Sequence, residues 1–308
     1  MQIKLDRRTL LAAGAAFVAS GGAAFAKANF AVPDGACDCH HHIYDPRFPY
    51  QPGAMLKPPP ATVSDYRRQV QARLGTSRSI TVTPSTYGTD NRCLIDALGQ
   101  SGRASRGVAV CHPDIPLKDL KAMHAAGVRG VRIQFGRGLI VPAGEIEPLA
   151  RRIQPLGWHM QFNMSAEEYA GIAPVLLRLP VPVVIDHFGH VPMPQGTASA
   201  HYKLIRRLLD SGNGWMKLSS PYTDSKTGAP AYADIAALAR DYIAHAPDRM
   251  LWASNWPFPD VPGGNVDPLL MLNLLQAWSP DAKMRHRILV ENPEALYGFD
   301  PKDRPKAL

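Results

Sequence analysis

The sequence predicts a single-domain (β/α)8 TIM barrel, preceded by a cleavable signal peptide, on three observations. From residue 35 onward, short β-type apolar runs alternate with amphipathic helical runs, the rhythm of a parallel sheet with helical crossovers. Eight such units can be counted, which suits a closed barrel better than an open doubly wound sheet. The 308 residues also hold the roughly 250 that such a barrel needs, with no internal linker or further repeat.

The expected strands are 37–43, 79–83, 107–111, 130–135, 158–164, 181–187, 215–219 and 250–255. Each is a short β-branched or aromatic run bounded by turn residues. In the first, His40 and His42 stand two residues apart, so they share one strand face. The residues 45–60 that follow are rich in proline and without periodicity, and read as a loop over the barrel's C-terminal mouth, long enough for a lid. The expected helices are 64–74, 117–126, 145–156, 166–179, 200–211, 232–245 and 267–278. Ser64 can cap the first, and Ser165 precedes Glu167 and Glu168, acidic groups suited to a helix start. Gly75, Gly127 and Gly157 follow helical runs where a left-handed residue is wanted.

The amino end, Lys4-Leu5-Asp6-Arg7-Arg8-Thr9, places a twin arginine before an Ala/Gly-rich apolar run that closes on Ala24-Phe25-Ala26. This predicts a Tat-type signal peptide over 1–26, export by the Tat machinery, and a mature barrel over 27–308 in a bacterial periplasm. The run is shorter than the ~20 residues that span a bilayer, so no membrane partner is expected after cleavage. Removing Lys4, Arg7, Arg8 and Asp6 leaves 31 basic and 25 acidic residues, a net charge of +6. The basic residues are scattered, which argues against nucleic acid and leaves a mild attraction for acidic substrates. Cys37, Cys39, Cys93 and Cys111 lack metal-site spacing and read as core thiols.

Reacting groups in such barrels come from the C-terminal strand ends and the loops beyond. Those positions hold His40, His42, Tyr87, Arg132, Gln134, Arg137, Gln161, Asn163, His187, His190, Tyr222, Asn255 and Trp256. Buried polar groups cost several kcal/mol unless paired, so a mouth that collects this many needs a reason. An inward arginine suits a carboxylate or sugar-acid group.

Asp38-x-His40-x-His42, Gly127-Val128-Arg129-Gly130-Val131-Arg132, Val184-Ile185-Asp186-His187-Phe188-Gly189, Trp215-Met216-Lys217-Leu218-Ser219, Trp252-Ala253-Ser254-Asn255-Trp256-Pro257 and Glu291-Asn292-Pro293 together resemble the amidohydrolase superfamily. The branch is that of 2-pyrone-4,6-dicarboxylate lactonase and D-galactarolactone isomerase. The resemblance implies a barrel acting on a lactone, with the histidines of the first and sixth strands near the scissile carbonyl and no bound metal. Gln134, Gln161 and Asn163 stand where metal-dependent relatives supply Lys/Glu and His. The alternative is one divalent metal such as zinc on His40, His42 and His187, a set that matches a catalytic zinc's three protein ligands.

Asn255 departs from the hydrolase pattern, which has Asp there, and an amide cannot take a proton near neutral pH. Asn is shared with the galactarolactone isomerase, yet that enzyme lacks the first histidine of the pair, which is kept here as His40. Phe258 stands where the lactonase has histidine, and Thr223 about where it has a carboxylate-binding arginine. The expectation is therefore a lactone hydrolase for a small acidic lactone. His40, His42, His187 and Asn255 would be catalytic, with Arg132, Arg137, Tyr87, Gln161, Asn163, His190, Tyr222 and Trp256 binding the lactone or sugar-acid substrate. Intramolecular lactone isomerisation, a catalytically silent periplasmic binding protein and a metal-dependent decarboxylase are the rivals.

Overall fold

The computed structural model describes residues 27–134, 141–261 and 266–307. Eight parallel strands run β1 Cys37–His41, β2 Arg78–Val82, β3 Ser105–Ala109, β4 Val128–Gln134, β5 His159–Asn163, β6 Val183–Ile185, β7 Gly214–Leu218 and β8 Met250–Trp252, hydrogen-bonded in chain order. The ring closes just beyond the strands: Asn255 N donates to His40 O at 2.9 Å and His42 N to Trp256 O at 2.8 Å. This is the expected single barrel.

Alternation along the strands makes two layers. Val131, Ile133, Met160, Phe162, Met216 and Leu218 belong to the core that packs against the helices. Inside the barrel, Cys37, Cys39, Ile80, Val82, Val108, Val184, Trp215, Leu251 and Ala253 form a separate apolar cluster with Leu296, Tyr297 and Phe299 of the C-terminal segment. That plug is fastened where Arg78 meets Glu294 at 2.7 Å and the carbonyls of Asp300 and Asp303. The apolar plug and its Arg78–Glu294 pair close the lower barrel.

Helices form over the expected segments, with differences that have local causes. The first helical stretch starts at Val63, because Thr62 rather than Ser64 caps it in a reciprocal pair with Asp65. Ser165 caps Ala166–Leu176 in the same way through Glu168. Helices at Arg92–Ser101, Ala282–His286 and Asn292–Tyr297 were not anticipated. Strands β6 and β8 end at Ile185 and Trp252, earlier than expected, and beyond them His187 and Asn255 adopt φ of 53° and 59°, outside the β region. The four cysteines are buried free thiols, as expected. Residues 1–26 and Arg137 lie outside the described residues.

Candidate active site

Strand β1 carries an irregularity between Asp38 and His41. Cys39 joins the interior apolar cluster, and its neighbour His40 also points inward, reaching Asp186 and Lys217. Simple alternation forbids two consecutive inward residues; a bulge permits it. Asp38 stays on the outer side, where its carboxylate accepts from Ser254 N, Ser254 Oγ and Tyr66 OH at 2.9, 2.6 and 3.0 Å. That clasp ties β1 to the segment after β8 and brings His40 beside Asn255.

The two imidazoles meet with Nε2 atoms 3.2 Å apart, and His42 Nδ1 lies 2.8 Å from the carbonyl oxygen of Val82. A carbonyl only accepts, so His42 Nδ1 carries the proton and its Nε2 holds a lone pair. Burial drives both rings to the neutral form, His40 well below the ordinary imidazole value and His42 down to about 3. With both rings neutral, a hydrogen bond between the two Nε2 atoms needs the His40 proton on Nε2, donated to His42 Nε2. His40 Nδ1 lies 3.2 Å from both Lys217 Nζ, which donates to it in that tautomer, and Asp186 Oδ1, whose charge Lys217 and Arg132 offset.

Lys217 is fully buried, with Gln161 Oε1 at 2.6 Å and Asp186 Oδ1 at 3.5 Å as its other acceptors. Its three donors are thereby matched. Asp186 Oδ2 accepts from Arg132 Nε at 3.1 Å, Arg132 Nη2 at 3.0 Å and Gln161 Nε2 at 3.0 Å. Burial alone would raise the Asp186 carboxyl, but Lys217, His40 and Arg132 outweigh it and hold the group well below the usual carboxylate range. Two cations thus face one carboxylate beneath the histidine pair.

Around this floor stands a partly solvated rim. His187, whose ring centroid is 5.0 Å from that of His40, places Nδ1 2.8 Å from Ser219 Oγ and 3.2 Å from Ser220 Oγ. His190 bridges Asp224 Oδ2 and Asn163 Oδ1, both at 2.9 Å. Asn255 Nδ2 donates to Tyr222 OH at 3.0 Å, while its buried Oδ1 has no partner among the described residues. Asn163, His190, Tyr222 and Asp224 are half-buried, so the mouth meets solvent here. His187, Phe188, His190, Ser220, Asn255 and Phe258 all hold φ between 51° and 60°. Left-handed non-glycine residues cost about 1–3 kcal/mol each, and strain of this kind gathers at sites that need fixed side-chain directions.

Residues 37–299 match the family described as Amidohydrolase. The chain belongs to the amidohydrolase family. It is 33% identical over 283 residues to the 2-pyrone-4,6-dicarboxylate hydrolase of Comamonas testosteroni, covering 88% of this chain and 92% of the relative. It is also 33% identical over 277 residues to the D-galactarolactone isomerase of Agrobacterium fabrum, covering 89% and 94%. An apo crystal structure from Agrobacterium tumefaciens, 33% identical, superposes with a TM-score of 0.81 over 89% of this chain and 99% of its own.

In this amidohydrolase the barrel brings His40, His42, His187 and Asn255 to one mouth, with Gln161 in the floor and Asn163, His190 and Tyr222 in the rim. Arg132 turns to Asp186 and is 4% exposed, so it serves the charge cluster in the first instance. Tyr87 packs one layer away against Tyr44 and Tyr50, its hydroxyl accepting from Asp45 N at 3.2 Å. The Trp256 ring packs on Tyr66 and lines a cleft of about 880 Å3 between the proline-rich loop and the segment after β8, while its backbone binds His42. Asp186, Lys217, Ser219 and Ser220 entered no expected role. Lys217 was detectable in principle, since a lysine alternating with Met216 and Leu218 in an apolar strand must point into the barrel.

His40, Asp186 and His187 set ligand atoms within 4.8 Å of one another, a cluster able to approach a divalent cation. The charges already around it oppose a further cation. Asp186 is already neutralised by Lys217 and Arg132, the His42 Nε2 lone pair takes the His40 proton, and a further two positive charges beside a buried ammonium are strongly opposed.

Proposed function

We propose that this amidohydrolase hydrolyses a small, acidic lactone without a resident metal. The observation that carries the reading is the buried His40–His42 pair, oriented by Val82 and Lys217 so that one N–H lies between the two rings beneath the half-buried rim. A lactone carbonyl entering there takes the His40 Nε2–H hydrogen bond that His42 holds at rest. As the carbonyl oxygen gains charge, that donor and the buried cations Lys217 and Arg132 stabilise it in a low-dielectric setting. The same positive excess favours an anionic substituent on the substrate. His187 accepts the nucleophile's proton and supplies one to the departing ring oxygen. Asn255 Oδ1, an acceptor without a donor among the described residues, holds the nucleophile's O–H. The curated relatives act on lactones, one by hydrolysis and one by isomerisation, which supports this substrate class.

Lactone isomerisation is the second reading, favoured by one observation: an amide at 255 can orient a substrate hydroxyl but cannot itself deprotonate water. Purified mature protein is to be assayed on sugar-acid and muconate-type lactones in ¹⁸O-water, with and without added zinc. Ring opening with one ¹⁸O incorporated supports hydrolysis. A new lactone without label transfers the assignment to isomerisation, and binding without turnover of any lactone contradicts both. The twin arginine at Arg7-Arg8 and the Ala24-Phe25-Ala26 site support export through the Tat machinery to the periplasm.

A further inference from the structure

The cleft beside Trp256 stands apart from the charged floor and is larger than a bare lactone ring needs. Its volume of about 880 Å3 lies within the roughly 300–1,000 Å3 of pockets that take whole organic ligands. Six prolines line it, Pro58, Pro59 and Pro60 in the loop after β1 and Pro257, Pro259 and Pro268 beyond β8. Proline has no backbone N–H and a fixed φ, so these walls are stiff and poor in hydrogen-bond donors. Met55, Leu56 and Val261 add apolar side chains, and Met55 is 71% exposed. Of the polar lining, Arg73 is turned to Asp267 at 3.0 Å. A hydroxylated group entering here would lose water for few partners, whereas an apolar group gains by leaving water.

Three observations join the cleft to the mouth. Phe258 lies in its wall and packs edge-on against Tyr222, ring centroids 6.1 Å apart, and Tyr222 is the group that takes the Asn255 N–H. Ala61, at the end of the proline wall, exchanges both backbone hydrogen bonds with Tyr44, whose ring centroid is 6.2 Å from that of His42. Burial governs the pKa of His42 and Tyr222, yet the charge of Asp260 in the cleft wall acts to raise both, so that wall reaches the histidine side. We propose that the cleft is a subsite for an apolar substituent, an alkyl chain or an aromatic ring, carried by the lactone whose carbonyl lies at His40. The inference rests on the lactone-processing reading and adds the class of substituent. Asp260 repels an anionic group, so the substrate's acid stays on the Arg132 side and its apolar end turns to Trp256 and Phe258.

The test compares a carboxylated γ-butyrolactone with analogues that also carry a phenyl or n-butyl group on the ring. Burial of that group is expected to raise kcat/KM about 10- to 30-fold, mostly through KM. Met55→Asp and Leu56→Asp put a charge on the proline wall, and neither side chain is buried, so the fold is not at stake. In each, the ratio of substituted to unsubstituted kcat/KM should fall to about threefold or less. Equal kcat/KM for the three lactones, all turned over, overturns the subsite and leaves the lactonase reading standing; a ratio unchanged in both variants does the same. A readout that needs no turnover is ¹⁹F NMR of 4-fluorobenzyl alcohol, with saturable broadening expected in wild-type protein and binding at least about fivefold weaker in Met55→Asp. Should no lactone be turned over, the lactonase reading fails and this probe decides the cleft. Binding that Met55→Asp weakens supports it, and absent or variant-insensitive binding overturns it.

Discussion

Lys217 shows how one side chain decides what the histidine pair can do. Its ammonium makes His40 Nδ1 an acceptor, which leaves His40 Nε2–H directed at His42. In Lys217→Met that donor is gone, His40 Nδ1–H can turn to Asp186 Oδ1 at 3.2 Å, and the two Nε2 lone pairs face each other 3.2 Å apart. That spacing suits two ligands on a tetrahedral ion with Zn–N of about 2.0–2.1 Å. The variant is therefore expected to lose at least about 100-fold in lactone turnover and to retain zinc through dialysis when wild-type protein does not; equal zinc content by elemental analysis contradicts the tautomer argument. The pairing of His40 with His42 was legible from their spacing, because strand alternation is a property of the backbone. The partners that set their protonation were not, since Lys217, Asp186 and Val82 come from strands far apart in the chain.

Element ends were read well where side chains announce themselves. Ser165 with Glu168 forms the cap its sequence suggests, and Ser165→Ala is expected to lower stability by about 1 kcal/mol in denaturant unfolding. The bulge in β1 carried no such mark, since Cys39 and His40 look like ordinary alternating residues. The early ends of β6 and β8 were equally hidden, because His187 and Asn255 adopt left-handed φ without being glycine. Close approach of a helix to the barrel gives a sharper prediction. A Cβ at Gly214 would sit 2.5 Å from the Leu208 carbonyl oxygen, a backbone atom that cannot swing away. Gly214→Ala is expected to cost about 1–3 kcal/mol by overpacking, visible as a lowered denaturation midpoint with unchanged m. An unshifted midpoint refutes the contact.

Across the whole molecule, burial of neutral histidines couples folding to pH. His42 titrates near 6.5 when unfolded and at about 3 when folded, and His40 shifts in the same direction. Between those values the unfolded chain binds protons that the folded chain refuses, so stability is highest above pH 6.5 and falls as pH drops through that window. Each such imidazole contributes up to about 1.4 kcal/mol per pH unit. Denaturant unfolding at pH 7, 6 and 5 should show this decline, with a smaller slope in His42→Asn; equal slopes contradict it. The barrel itself was legible from the strand–helix rhythm, which needs no knowledge of tertiary contacts. The proposed export is testable on the full chain: replacing Arg7 and Arg8 by lysine is expected to leave the protein in the cytoplasmic fraction with its first 26 residues attached, and periplasmic recovery of that variant contradicts the Tat route. The most direct test of the central claim is a crystal structure of the metal-stripped protein with a sugar-acid lactone bound. The account predicts the lactone carbonyl oxygen within hydrogen-bond distance of His40 Nε2 and a water or substrate hydroxyl within hydrogen-bond distance of Asn255 Oδ1. A lactone lodged away from both histidines, or bound only when zinc is restored, contradicts it.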